Sequence, residues 1–488
     1  MMKMRIFLLT VASIFAFSIR CSGQNNSEIP IKEQYDNINE SIVSKVSIEN
    51  LVADNNNGNF LGDRVSYFLK SLLAMYNTTG DKAYLLRFIS FSYIIQNVRN
   101  DMANSTNHPG WVNETDLNRY MYQDGLIIMP MAEFVYIVSN DNILSNAPLP
   151  SSTTLGIDQV YFPSFPTYGD YATWLRNRVD QTLYYYTYDP GYWGDDSRCY
   201  TPVPNPNTNT QAQQMNQQVG FACALFYLGM TDPNTYYQHK AAMIANAYKG
   251  NVTDDFCSYY LGGWHDIGDI TRPVLGLGSN NAYIWKSKGW QTNSCNDQYG
   301  EQPDDYEDIA HGLQTLLFPL TVCNKYIPNE GFPFTNNEMI RFRNTFTENI
   351  VGGYNNLCPD IHAAVDGDDF ISYRTENNYE YNGLNNTAMI QAALGWMPLY
   401  KFDDLSSHQQ YRVYDVIMDL YKCRFQNSLS NLNHSNGNYG LSEVVAAQWD
   451  KECVNLTLYN RHVVYDQDFA VKNNLFVSPA EAAGESYA

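Results

Sequence analysis

The sequence reads as a mainly all-α chain, an α/α toroid of six to seven helical hairpins, incomplete or closed, with long loops around a central cleft. Three observations predict this. A helix-pair pattern recurs along the chain: an apolar helix containing Gly and Ala, a short turn, then a helix that opens on Asp or Asn and carries a Tyr/Arg/Lys-rich face. The openings "TGDKAY", "TDPNTYY" and "TNNEMIRF" fall at comparable places, as they would in a diverged repeat. The segments between pairs, at 188–209, 258–305 and 352–383, are long and rich in aromatic, Asn and Asp residues. In a ring such connections gather on one face, where binding groups tend to sit. A stacked solenoid is the alternative arrangement.

In chain order, the predicted pairs are 64–76 with 81–98, 124–138 with 170–186, and 211–228 with 234–248. Two more are 306–326 with 336–350, and 385–400 with 407–424. No Gly/Ser linker or charge block divides the chain, so residues 24–488 are expected to form one domain. The start, "MMKMRIFLLTVASIFAFSIRCSG", has Lys3 and Arg5 ahead of a short apolar run. That is the pattern of a secretory signal peptide over 1–23, and the run is too short to span a bilayer. The protein is therefore expected outside the cell, or alternatively lipid-anchored at the surface through Cys21, although Arg20 directly before that cysteine fits an anchor poorly. No other segment is long and apolar enough to cross a membrane.

Without Cys21 eight cysteines remain: Cys199, Cys223, Cys257, Cys295, Cys323, Cys358, Cys423 and Cys453. An even number in an exported chain suggests disulfides, with buried free thiols as the alternative, and the absence of a CxxC pair argues against a zinc ribbon. Nine Asn-x-Ser/Thr sequons, from Asn25 to Asn455, fit a glycoprotein. A net charge of −21 excludes a basic nucleic-acid surface. The 39 Tyr and 8 Trp suit a carbohydrate-active protein, because aromatic faces stack on sugar rings; they also suit ordinary helix surfaces.

Four stretches can carry chemistry. In "QPDDYEDIAHGLQ" (302–314), helical spacing puts Asp304, Glu307, Asp308 and His311 on one face. Asp304 and Asp305 suit the first turn of a helix. Glu307 and Asp308 can each reach His311 and fix its tautomer. His311 is then a catalytic or substrate-contacting residue, or else a core histidine; a metal site would need at least one more ligand, and this is not HExxH. "NNAYIWKSKGW" (280–290) offers Trp285 and Lys286 as an aromatic and cationic platform for an acidic sugar, or else a hairpin with a solvated edge. "ISYRTENNYEYNG" (371–383) sets Arg374, able to grip a carboxylate bidentately, near Tyr379 and Tyr381. "AQQMNQQVGFA" (212–222) places Asn216 and Gln217 at the opening of an apolar helix, where their amides can bind hydroxyls or a carboxylate. Tyr122 with Asp124, Asp195, Asp196 and Arg198 in "GYWGDDSR", and His265 in "GGWHD" are smaller candidates.

The order of "MNQQ", "YIW…GW", "EDIAHG" and an Arg/Tyr-rich loop resembles the α/α-toroid polysaccharide lyases. It is most similar to polysaccharide lyase family 38, whose members act on alginate or glucuronan. The resemblance covers residues 60–420 in layout and only these short stretches in residues. It implies β-elimination on a 4-linked uronic acid polymer with no metal or other cofactor required; the protein itself is expected to be a monomer. His311 would be neutraliser or base, and Tyr381 base or acid, with Tyr379 as the alternative tyrosine. Arg374 and Asn216 would hold the substrate carboxylate, and Glu307 would orient His311. A glycoside hydrolase using Asp195 or Asp196 with Asp308, a uronan C5-epimerase and a non-catalytic glycan-binding protein are the other readings.

Overall fold

The computed structural model describes residues 30–45, 58–103, 109–111, 121–155, 162–188, 215–232, 235–248, 276–277, 281–285, 307–325, 332–367, 387–403, 410–425 and 435–460. Among these the protein is mainly helical, 77% helix against 6% strand. The main helices are α1 (Pro30–Lys45), α2 (Ser66–Thr79), α3 (Lys82–Asn97), α4 (Met121–Ser139), α5 (Tyr168–Tyr188) and α6 (Met215–Thr231). They continue with α7 (Thr235–Tyr248), α8 (Ile309–Lys325), α9 (Asn336–Asn344), α10 (Thr387–Leu394), α11 (Val413–Arg424) and α12 (Ser435–Asn460). Leu61–Val65, just before α2, is a π-helical turn.

The even-numbered helices touch in a cycle: α2 on α4, α4 on α6, α6 on α8, α8 on α10, α10 on α12, and α12 back on α2. The odd-numbered helices cover them, with α3 on α2, α5 on α4, α7 on α6, α9 on α8 and α11 on α10. The five expected hairpins are all present. A sixth pair, which the repeat did not reveal, joins α1 to α12 from opposite ends of the described chain. Tyr35 of α1 is tied to α2 by a 2.9 Å hydrogen bond between its hydroxyl and that of Ser71.

The local signals act as expected at the first hairpin. Gly80 adopts a left-handed conformation (φ 72°), and its N–H closes α2 on the Tyr76 carbonyl at 2.8 Å. Asp81 then caps α3 by accepting from the Ala83 N–H at 2.9 Å. Where α4 meets α6, a Cβ on Gly220 would lie 2.2 Å from the Gly125 carbonyl carbon, so only glycine permits the two backbones to approach this closely.

Paired contacts fix the direction of the inner helices. Gly62 and Lys70 meet Gln123 and Glu133, while Gly220 and Tyr227 meet Gly125 and Glu133. Tyr67 and Lys70 likewise meet Tyr439 and Glu443. Sequence numbers rise together in each case, so α2, α4, α6 and α12 run the same way.

Inside the cycle lies a buried polar cluster. Lys70 Nζ is 2.9 Å from Glu133 Oε2, with both side chains 9% exposed. Tyr227, Cys223, Thr321, Tyr439 and Glu443 surround the pair. Burial opposes the Lys70 charge, but Glu133 and Glu443 outweigh it and hold the lysine pKa above its ordinary value. Burial pushes the Glu443 carboxyl up, against the pull of Lys70.

Two short antiparallel hairpins complete the described structure: β1 (Gly276–Leu277) with β2 (Tyr283–Ile284), and β3 (Val351–Asn355) with β4 (Cys358–Ile361). A Cys358–Cys423 disulfide ties the second hairpin to α11. Cys223 and Cys323 are free thiols, which corrects the expectation of pairing for these two of the eight cysteines. Cys199, Cys257 and Cys295 lie outside the described residues. Among the described residues no helix is long and apolar enough to cross a membrane.

Replacing Lys70 with Met strands Glu133 in a low-dielectric site. The expected loss is about 3–5 kcal/mol in urea unfolding at pH 7, and an unchanged midpoint would show that the pair carries no structural weight.

Candidate functional site

The start of α8 is assembled from three pieces of extended chain. Glu307 N–H donates to the Trp285 carbonyl (3.0 Å), Val365 N–H to the Glu307 carbonyl (3.0 Å), and Ile309 N–H to the Ala363 carbonyl (2.9 Å). The helix therefore begins at Ile309 rather than near Tyr306, and Asp308 is its cap. Asp308 Oδ1 accepts the N–H groups of Ala310 and His311, each at 3.0 Å. Its Oδ2 meets His311 Nδ1 at 2.6 Å. The Asp308 side chain is fully buried, whereas that of His311 is 36% exposed. A carboxylate on Nδ1 orients the ring and leaves proton exchange to Nε2.

Glu307 was expected to orient His311 and to touch substrate. The structure corrects both roles. Because Glu307 lies in extended chain ahead of the helix, its side chain points into the core and is 1% exposed. There it accepts from Trp285 Nε1 and from the Thr315 hydroxyl (2.8 Å). Burial pushes its carboxyl up to about 7, against the opposing influence of His311 and of these two hydrogen bonds. Asp308 alone of the two carboxylates holds the histidine.

Trp285 is likewise no open platform. It is 1% exposed, stacks against Trp396 with ring centres 6.5 Å apart, and packs edge-on to Phe342. Its role is to seat Glu307 and the cap.

The other expected residues divide three ways. Tyr122, Asn216 and Gln217 lie in the first turns of α4 and α6, at the same end of the inner helices. Tyr122 is half-buried and accepts from Gln123 Nε2 at 2.9 Å. Asn216 is 1% exposed, too deep to meet a ligand from solvent, and its Oδ1 makes no hydrogen bond among the described residues. Gln217 beside it is half-buried. Tyr381, Arg374, Tyr379, Lys286 and His265 lie outside the described residues, as do Asp195, Asp196, Arg198, Asp304 and Asp305. Asp124 serves the fold, taking the Trp111 N–H at 2.9 Å and the Tyr186 hydroxyl at 2.7 Å.

Comparison of the chain with protein-family models, with curated proteins and with solved structures gave no match. The resemblance to the toroid lyases therefore rests on the short motifs alone. Among the described residues no group of three or more His, Cys, Asp or Glu side chains is placed to hold a metal ion.

One residue of this end was not singled out from the sequence. Asp63, in the π-turn, lies within electrostatic range of His311. Burial pushes its carboxyl up to about 6, opposed by His311 and Arg64. One turn further on, Tyr67 is directed toward the Gln314 side chain, one turn beyond His311. Its hydroxyl is fully buried. Only the π-turn hints at function, since such turns recur at functional sites, and it has no signature in sequence.

Glu307 also makes a prediction. Its folded pKa of about 7 stands above the ordinary 4.5, so the folded state holds this proton more tightly than the unfolded chain. The stability that proton contributes is complete below about pH 4.5 and lost as pH rises through about 7, on the order of 3 kcal/mol. Glu307→Gln keeps an acceptor for Trp285 and Thr315 without the titration. Urea unfolding at pH 5 and pH 8 should show a smaller drop in the variant than in the parent; equal drops would remove Glu307 as the cause.

Proposed function

We propose that the cycle of inner helices with its outer cover is an α/α toroid, and that the protein is an exported lyase cleaving a 4-linked uronic acid polymer, alginate or glucuronan, by β-elimination. The observation that carries this reading is the dyad at the start of α8: an exposed imidazole whose Nδ1 is held by a buried, doubly capped carboxylate. That is the arrangement of a general base, with the ring fixed and Nε2 turned to the reacting proton.

The surroundings support an anionic substrate. The starts of α4, α6 and α8, and the π-turn ahead of α2, lie at one end of the cycle. The aligned dipoles of these helix starts favour a carboxylate at that end, despite the net charge of −21. Elimination requires the C5 proton to leave beside a carboxylate, and that carboxylate must be neutralised as the enolate-like state forms. The resemblance gives this task to Arg374 and Asn216. With Asn216 buried, the neighbouring half-buried Gln217 offers the amide at that position. His311 Nε2 takes the C5 proton, and the acid that protonates O4 is Tyr381 or a group placed like it.

The hydrolase reading loses support at Asp308. Both of its oxygens are committed to the α8 cap and to His311, and none of its side chain is exposed.

The test is a panel of uronans followed by ultraviolet absorbance of the unsaturated product. His311→Ala should lower kcat/KM by ~10²–10⁴-fold, and Asp308→Asn, which disturbs the tautomer, by less. Reducing ends without unsaturation would replace the lyase with a hydrolase. No turnover of any polymer, with glycan binding unchanged in His311→Ala, would leave a binding protein.

A further inference from the structure

Within the cycle α2 and α8 stand three places apart, so they face each other across its centre. Tyr67 of α2 is directed toward Gln314 of α8. Stepping back one turn on each side, toward the common end, reaches Asp63 and His311. Sequence numbers again rise together, which places α8 in the same direction as α2. The π-turn is held there by packing on α4, where a Cβ on Gly62 would lie 3.1 Å from the Gln123 Cα. Asp63 and His311 thus lie on facing helices within electrostatic range of each other, and the buried Tyr67 hydroxyl, directed at Gln314, lies one turn below them.

We propose that Asp63 is the second catalytic residue of this site, the acid that protonates the departing oxygen while His311 acts as base. The assignment rests on the lyase reading above and gives the acid role to Asp63 in place of Tyr381. In the step, His311 Nε2 takes the proton from C5. The C5–H electron pair becomes the C4–C5 double bond, and the C4–O4 pair leaves with O4. The Asp63 carboxyl proton bonds to that oxygen. The site begins as neutral imidazole and carboxylic acid and ends as imidazolium and carboxylate, an ion pair whose members face each other. Solvent returns the proton from His311 to Asp63 before the next turnover.

Burial already holds the Asp63 proton to about pH 6. Among the described residues the charged groups near it include His311 from α8 and Arg64 beside it, with Asp308 and Glu307 behind the histidine. Turnover should therefore fall as pH rises through the Asp63 pKa, because the acid must be protonated.

The test uses the full chain with Asp63→Asn. On polymer, kcat should fall ~10²-fold or more with KM little changed, and the alkaline limb of the pH profile should disappear. On a uronide bearing nitrophenolate as the O4 leaving group, which departs without a proton, the same variant should approach parent rates. Tyr381→Phe should keep most of its activity. In selectively labelled protein, the His311 NMR titration should move to lower pH in Asp63→Asn, because a neighbouring negative charge is gone. An unmoved His311 titration overturns the facing pair, whatever the protein's substrate. A moved titration with full polymer turnover, or with an equal loss on both substrates, overturns the acid role. If parent protein turns over no uronan, the lyase reading falls and the acid role with it, while the titration still decides the pairing.

Discussion

The buried contact between Lys70 and Glu133 sets the axial register on which the open end depends. It joins α2 to α4 deep inside the cycle, and Asp63 lies two turns before Lys70 on the same helical path. Sliding α2 by one turn, about 5.4 Å, would separate the pair and carry Asp63 away from the level of His311. A buried pair adds little net stability over an apolar substitute, but it penalises every arrangement that leaves one charge alone. Its value here lies in selecting one register. The Gly125–Gly220 approach does the same for α4 and α6 by shape, since only one alignment brings two missing side chains together. Two unlike devices thus hold three neighbouring inner helices at one height.

The parts of the fold that could be read in sequence are those with local causes. Gly80 and Asp81 mark a helix end and a helix start by backbone conformation and capping, and five hairpins follow from signals of that kind. The sixth pair has none, because its members lie about 400 residues apart (α1 at 30–45, α12 at 435–460) and meet only when the cycle forms. The site divides along the same line. His311 was legible because it follows clustered acids at helical spacing. The hold of Asp308 on His311 was legible too, but the role of Glu307 was not, since helical spacing assumes a helix, and the chain at Glu307 is pulled straight by Trp285 and Val365. Trp285 looked like a sugar platform because lysines follow it in sequence, whereas its neighbours in space are Trp396 and Phe342. Asp63 carries no such local signal. What distinguishes it is the residue it faces, which lies about 250 positions further along the chain.

Glu307 and Asp308 show how neighbouring carboxylates acquire opposite chemistry from backbone geometry alone. Both are buried, and burial by itself favours the protonated form of each. Asp308 stands where a helix begins, and two unpaired N–H groups and an imidazole converge on its oxygens. Those donors replace water and suit the charged form. Glu307, one residue earlier, points the other way and meets an indole N–H and a hydroxyl, which are neutral donors. Its carboxyl is pushed up to about 7. Two full negative charges in adjacent buried positions would repel each other, and the neutral tendency of Glu307 relieves that repulsion. The histidine is therefore governed by one carboxylate instead of two. An imidazole held by a single fixed charge keeps one tautomer and one direction.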